Sequence, residues 1–212
     1  MRTDDLIRLL IADHNAPSIL IERRLTIAVT IGFVVALALF WIALGPRDDI
    51  VAAAATPRFI FKVVESLLLA GAAALLVLQL ARPGADTRVA IAAIFAAPVL
   101  LACTVVAELA LVSPTQWETK LIGSNSLVCV TAIPLLSLPP LVATLYVLRQ
   151  GASTRPGLAG GVAGMLAGGL AAALYATQCT DDSPLFVAFW YSLAIAAVSL
   201  VGTMVGQRVL RW

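Results

Sequence analysis

Residues 156–180 read PGLAGGVAGMLAGGLAAALYATQCT, a stretch of 25 residues without one charged side chain. A bilayer core about 30 Å thick is crossed by roughly 20 apolar residues of α-helix, because each residue rises about 1.5 Å. This stretch therefore predicts a membrane-spanning helix. Gly160, Gly164 and Gly168 recur in it at every fourth position. Small residues at that spacing line one helix face and favour close packing against another helix.

The same pattern extends over the rest of the chain. Of its 212 residues, 61% are apolar and only 12% are charged, which excludes a soluble enzyme, a nucleic-acid-binding domain and a secreted disulfide scaffold. A further stretch, 59–80, is long enough to span a bilayer although it carries Lys62 and Glu65. Four more runs are free of charge: 25–46, 89–107, 121–148 and 183–207.

We therefore predict an all-α fold, a polytopic membrane bundle of six transmembrane helices that occupies residues 25–212. A cytoplasmic N-terminal segment, residues 1–24, precedes it. Three prolines within the fourth span should kink or break that helix, because proline removes a backbone donor; they are Pro134, Pro139 and Pro140. The predicted spans are 25–44, 58–80, 89–112, 122–148, 157–177 and 184–207.

Lys and Arg indicate the orientation, because they concentrate on the cytoplasmic side of membrane proteins. With the N-terminus inside, ten of them lie on the inner side and three on the outer side, while Lys62 lies just inside a span. Both termini are therefore predicted to be cytoplasmic. The outer loops are predicted near 45–58, 113–120 and 178–183.

Residues 3–15 have the pattern of a short amphipathic helix. Asp4 and Asp5 suit its first turn, where the helix dipole favours negative charge. The apolar side chains group towards one side, and they include Leu6, Ile7, Leu9 and Leu10.

Two cysteines lie on or near the predicted outer side, Cys129 in the fourth span and Cys179 in the last outer loop. Thiols there respond readily to oxidants and to soft metal ions, so one interpretation is a pair that senses such agents. The alternatives are a structural disulfide or two unrelated small apolar residues. Cys103, inside the third span, is expected to be a buried structural thiol.

Three ionisable residues lie within the predicted spans: Lys62, Glu65 and Glu108. Such groups are costly in hydrocarbon and usually face the bundle interior, which makes them site candidates. Lys62 and Glu65 are three residues apart and can pair on one helix face. The alternative is a buried ion pair that only fixes packing. Asp181 and Asp182 are expected to form a solvated loop.

Several long motifs also carry a family resemblance: TDDLIRLLIAD (3–13), ERRL (22–25), TPRFIFK (56–62), ARPG (81–84), LVCVTAIPLLSLPP (127–140), LRQGASTRPGLAGG (148–161) and LYATQCTDDSPLFVAFWY (174–191). On these the chain resembles the NrsF-type membrane anti-sigma factors of proteobacteria, which are negative regulators of an extracytoplasmic-function sigma factor.

The resemblance implies six spans in the bacterial inner membrane, with a sigma factor and the lipid bilayer as partners and no direct contact with nucleic acid. It also implies that Cys129 and Cys179 respond to heavy metals or oxidants. The family often has a histidine before the second cysteine; this chain has Gln178, which favours thiol oxidation over metal ligation. No enzymatic activity, cofactor or certain metal ligand is predicted, and the oligomeric state stays open.

The resulting hypothesis is that the segment 3–15 binds the sigma factor as a helix in a groove, through Asp4, Asp5, Leu6, Ile7, Leu9 and Leu10. Modification of the outer thiols would then favour a second packing of the bundle. One alternative is a membrane thiol–quinone oxidoreductase, although such enzymes usually carry a close CxxC pair. A further alternative is a small ion-coupled transporter that uses Lys62, Glu65 and Glu108.

Overall fold

A computed structural model describes residues 19–82, 85–151 and 153–210 of the chain. These ranges form helices joined by turns and contain no β-strand. The predicted amphipathic helix 3–15 lies outside the described residues, so it stays a prediction. The same holds for the six proposed sigma-binding residues Asp4, Asp5, Leu6, Ile7, Leu9 and Leu10.

Six helices of the described part are long and apolar enough to cross a membrane, which confirms the predicted fold class. Two short helices, Ile50–Ala54 and Trp117–Ile122, lie in the connections, and the second follows a 3₁₀ turn at Pro114–Gln116. In chain order the helices are α1 (Ile19–Ala43), α2 (Ile50–Ala54), α3 (Pro57–Leu80), α4 (Arg88–Leu111), α5 (Trp117–Ile122), α6 (Ser126–Leu148), α7 (Pro156–Ala176) and α8 (Pro184–Val209).

Two helix starts differ from the predicted ones by more than a residue or two. Helix α1 begins at Ile19 rather than at 25, because the charged residues before the apolar run are already helical. Helix α6 begins at Ser126 rather than at 122, because Gly123 has a φ of 59° and ends α5 there. Glycine adopts this left-handed conformation without the steric cost of a Cβ.

Helix α7 is the centre of the bundle. Sixteen of its 21 residues are buried, and it packs against α3, α6 and α8. In contrast, α4 lies at the periphery and buries only Ala90, Ala97, Leu101 and Glu108. The run 156–180 therefore forms the core on which the other helices pack.

Helix α6 continues without interruption from Ser126 to Leu148 although three prolines lie inside it. The break that these prolines suggested does not occur. Helix α1 lies directly against the proline pair: a Cβ added at Gly32 would come within 2.6 Å of Pro140 Cα and 3.0 Å of the Pro139 carbonyl oxygen. Gly32 thus allows α1 to support α6 where its ladder of backbone hydrogen bonds is weakest.

The glycine face of α7 is covered by α8 of the same chain. A Cβ added at Gly160 would overlap the Gly202 carbonyl oxygen and come within 2.9 Å of Gly206 Cα. At Gly164 it would come within 2.6 Å of Ser199 Cα. Close backbone approach of this kind is typical of helix pairs with small residues at their contact. The stripe that the sequence indicated is therefore used for packing within one chain.

Polar side chains join the elements at the end of the bundle where α1 begins. Arg82, just after α3, donates to the Glu22 carboxylate in the first turn of α1. Arg24 Nη1 donates to Gln150 Oε1 at 3.1 Å. The start of α1 is thus attached to the connections that follow α3 and α6.

We expect Gly160→Ala to lower the melting temperature of the detergent-solubilised protein by several degrees, since inserting a methyl into a packed contact costs about 1–3 kcal/mol. Gly71→Ala is the matched control, because a Cβ at Gly71 meets nothing within 4 Å. Helix propensity alone favours alanine at both positions by about 1 kcal/mol. Equal melting temperatures of the two variants, measured by circular dichroism, would contradict the close α7–α8 contact.

Candidate functional site

Cys129 and Cys179 meet in one buried cluster. Cys129 lies in the first turn of α6 and Cys179 in the loop after α7, yet the exposed fraction of both side chains is 0%. Both thiols are free. The aromatic rings of Tyr175, Tyr191 and Phe186 belong to the same cluster, with 5.9 Å between the centroids of the two tyrosine rings.

Tyr191 ends an irregular turn of α8. Residues Val187–Tyr191 form a π-helical turn, a rare geometry that often marks functional sites. The Tyr191 side chain is buried, and within the described residues its hydroxyl has no hydrogen-bond partner. The Tyr175 hydroxyl, in contrast, donates to the Asn125 carbonyl at 3.3 Å.

Cys103 does not share this environment. It is exposed on α4, so the expectation of a buried thiol is wrong. The physical reason is that α4 is peripheral and buries a single narrow stripe, from which Cys103 points away.

The loop that carries Cys179 is held by a buried cation. The Lys62 side chain of α3 is 0% exposed. Its ammonium donates to the Cys179 carbonyl at 2.8 Å, to Asp182 Oδ1 at 2.5 Å and to the Asp181 carbonyl at 3.4 Å. An ammonium has three N–H groups, and here each has an acceptor in the loop. We call Lys62 with residues 179–182 the lysine clasp.

Lys62 thus pairs with Asp182, about 120 residues away in sequence, rather than with the nearby Glu65. The interaction expected from the spacing of three residues is replaced by a long-range one. The reason is that the ammonium turns towards the loop, where carbonyl oxygens and a carboxylate together compensate its burial. The expectation that Asp182 is merely solvated is wrong for the same reason.

Arg47 reinforces the clasp from the α1–α2 connection. Its Nη1 donates to Asp182 Oδ2 at 2.9 Å, and its Nε donates to Asp49 Oδ1 at 2.6 Å. The backbone N–H of Arg47 also donates to the Thr177 carbonyl at 3.1 Å. The Asp49 and Asp182 carboxylates raise the pKa of Arg47, and Arg47 lowers the pKa of Asp49. Both groups therefore stay charged across the physiological range.

Asp181 connects the same loop to the helix that carries Cys129. Its carboxylate accepts from the backbone N–H of Ser124 at 3.0 Å and of Asn125 at 2.8 Å, immediately before α6. A carboxylate near a helix N-terminus is stabilised by the helix dipole. The approach is close, because a Cβ at Gly123 would come within 2.8 Å of Asp181 Cγ. A displacement of the Cys179 loop therefore also removes this support from the start of α6.

A second ion pair, with one buried partner, lies beside the clasp. The Glu108 carboxylate of α4 is 5% exposed and accepts from Arg58 Nη2 at 2.9 Å and from Ser183 Oγ at 3.4 Å. The Lys120 ammonium lies 3.7 Å from it. Two of the three ionisable residues predicted within the spans, Lys62 and Glu108, thus hold the loop between α7 and α8. Glu65 takes no part in these contacts.

The geometry keeps the Cys179 thiol unreactive while the loop is closed. Burial raises the pKa of Cys179, and the nearby Lys62 ammonium opposes this shift without overcoming it. The thiolate is the nucleophile and the metal ligand, so a buried, protonated thiol reacts slowly. Within the described ranges, no three His, Cys, Asp or Glu side chains form a group that could hold a metal ion.

Sequence reasoning missed the part that Asp181 and Asp182 take in the clasp, its reinforcement by Arg47, and the two tyrosines. One signal was present: Lys62 in an apolar span requires an anionic partner, and the two aspartates that follow Cys179 were among the acids near the predicted outer side, with Asp48, Asp49, Glu108 and Glu118. Which acid meets Lys62 depends on how α3 and α7 pack, and a single sequence does not contain that information.

A family model described as "Negative regulator of sigma F" matches residues 10–212. The chain belongs to the NrsF family. This confirms the resemblance, and the family is regulatory rather than catalytic.

Two relatives match over the full length of both chains. The chain is 40% identical over 220 residues to "Anti-sigma-F factor NrsF" of Caulobacter vibrioides (strain NA1000 / CB15N). It is 35% identical over 216 residues to "Probable anti-sigma-F factor NrsF" of Azospira oryzae (strain ATCC BAA-33 / DSM 13638 / PS). No solved structure matches the chain significantly.

We expect Lys62→Met to make Cys179 alkylate at least about tenfold faster, because the loop loses the three hydrogen bonds that the ammonium donates and about 1.4 kcal/mol corresponds to tenfold. The rate is measured by mass spectrometry in a Cys103→Ser/Cys129→Ser background, where Cys179 is the single thiol. Arg149→Met is the control, since Arg149 is exposed and follows the end of α6 that is remote from Cys129. Asp182→Asn should act like Lys62→Met; unchanged rates in both would contradict the clasp.

Proposed function

We propose that this chain is a membrane-bound negative regulator of a sigma factor, and specifically of an extracytoplasmic-function sigma factor. The observation that carries the proposal is the full-length relationship to a protein named as an anti-sigma-F factor, at 40% identity. The similarity includes the N-terminal residues as well as the apolar helices, since it covers all of both chains.

The surface of the bundle supports a location in a membrane. Large apolar side chains are exposed on the outer faces of the long helices; among them Ile42 and Leu111 are 85% exposed and Leu127 is 79% exposed. A soluble monomer rarely exposes contiguous apolar surface on this scale, whereas in a bilayer these side chains contact lipid. The Lys and Arg distribution supports placing both termini in the cytoplasm and the clasp on the outer side.

The start of α1 suits a role in holding the sigma factor near the membrane. The contacts of Glu22 and Arg24 attach this helix to the connections after α3 and α6. An amphipathic helix at 3–15 would therefore emerge beside the inner loops 81–88 and 149–156. In the proposed bound state its apolar face occupies a groove of the sigma factor, and the two loops extend the contact.

Release of the sigma factor is proposed to follow modification of Cys129 and Cys179 by heavy metals or oxidants. Both side chains are completely buried, so any group added to Cys179 Sγ requires the loop to leave its place. That movement separates Asp182 from Lys62 and Asp181 from the start of α6. A signal shifts a conformational equilibrium only by its different free energy in the two states. Here the modified thiol fits only the state in which the loop has left its buried position, so modification shifts the equilibrium towards that state.

We expect deletion of residues 1–16 to release sigma-dependent transcription in the absence of stress, because the proposed docking helix is removed while α1 stays intact. The readout is a reporter driven by the cognate sigma factor, together with immunoblotting of membranes to verify insertion. Substituting Leu6 and Leu10 together by aspartate should have the same effect without shortening the chain. Full repression by both inserted variants would contradict the assignment of the N-terminal segment.

We expect the double variant Cys129→Ser/Cys179→Ser to repress normally and to lose most of the reporter response to cadmium or dichromate. Serine lacks a thiol that binds soft metal ions or oxidises under these conditions. Cys103→Ser is the matched control and should respond like the wild type, since Cys103 lies outside the buried cluster. A full response of the double variant would remove the thiol switch from the proposal but leave the regulatory role intact.

A further inference from the structure

A cavity of about 560 Å³ lies between α3, α4 and α8, with Met165 of α7 among its lining residues. It opens sideways between α4 and α8, where Phe95 is 62% and Leu200 is 60% exposed. Ligand sites typically measure about 300–1,000 Å³, with mostly apolar walls and a few convergent polar groups. The cavity has this character, and it is separate from the clasp.

The walls of the cavity are apolar apart from a small polar patch. Phe95, Pro98 and Leu101 of α4 face Ile195 and Leu200 of α8 across it. The polar lining residues lie mainly on α3 and at the start of the regular part of α8: Glu65, Ser66, Tyr191, Ser192 and Ser199.

Glu65 is the residue of this patch that indicates which ligand the cavity binds. Its side chain is 7% exposed, and it lines the cavity. Within residues 19–82, 85–151 and 153–210, its carboxylate has no hydrogen-bond or ion-pair partner, because Lys62, one turn away, is bound to Asp182. The Arg58 guanidinium, two turns away, is likewise paired with Glu108.

A carboxylate in this position lacks the compensation that Lys62 and Glu108 receive. Ionisable side chains at membrane depth are costly and normally pair or face a polar ligand. The cavity beside Glu65 is wide enough for an alkyl chain and lies next to an acceptor without a donor. Charge complementarity therefore selects a ligand with an apolar body and a cationic, hydrogen-bond-donating head.

We propose that this cavity binds an amphipathic amine, whose ammonium donates to the Glu65 carboxylate while its alkyl chain lies between α4 and α8. This binding site goes beyond the proposed regulation of a sigma factor and does not depend on it. The ligand contacts Leu101, Val187 and Tyr191, which also enclose the two cysteines. The amine site and the thiol cluster are therefore neighbours that share one wall.

The test compares two probes of equal chain length, dodecylamine and dodecanoate, on the full chain in lipid nanodiscs. Dissociation constants are measured by native mass spectrometry. The amine should bind at least about tenfold more tightly than the carboxylate, because only the ammonium forms a charge-assisted hydrogen bond with the Glu65 carboxylate. Glu65→Gln should abolish this preference, and Glu118→Gln, in the exposed helix α5, should preserve it.

A second variant distinguishes binding in the cavity from general partitioning of the probe into lipid. Ala196 lines the cavity and lies at its exposed side, so Ala196→Phe should fill the cavity and weaken dodecylamine binding by about tenfold. If both probes bind equally to the wild type, they associate with it only as adventitious lipids. That result would overturn the proposal. So would a preference for the amine that survives Glu65→Gln, or dodecylamine binding that Ala196→Phe leaves unchanged.

Discussion

The structure depends on one buried charge, the Lys62 ammonium in an otherwise apolar bundle. Moving such an ion out of water costs several kcal/mol unless other groups replace its hydration. Its acceptors all lie in the loop of residues 179–182, so the charge fixes the loop as firmly as the loop stabilises the charge. Arg47 and Asp181 extend this interdependence to α1 and α6, and Cys179 is enclosed as a result.

The helices were predictable from the sequence because a charge-free run of about 20 residues leaves few alternatives to a membrane span. Side-chain partners were less accessible. A spacing of three residues suggested that Lys62 would pair with Glu65. Its partner is instead Asp182, which lies on a loop that the packing of α3 against α7 brings close. Cys103 shows the same limit, since an apolar run does not reveal which face of a peripheral helix turns inward.

The glycines of α7 decide how that packing is achieved. Gly160 and Gly164 allow the backbones of α7 and α8 to come into direct contact. Helix α8 begins directly after the Cys179 loop. The loop is thus anchored at both ends by packed helices, and contacts of Lys62, Arg47, Asp181 and Glu108 hold it in between. Because the glycine stripe is occupied within the chain, contact with a second copy would require a different face.

Helix α3 connects two contacts that otherwise appear unrelated. Lys62 holds the cysteine loop near one end of the helix, and Arg82, just past the other end, holds Glu22 at the root of the N-terminal segment. Twenty residues of α-helix separate them by about 30 Å. Helix α3 is continuous between them, so it forms a rigid link between the two contacts. The cysteine loop and the base of α1 are thus attached to the two ends of one stiff element.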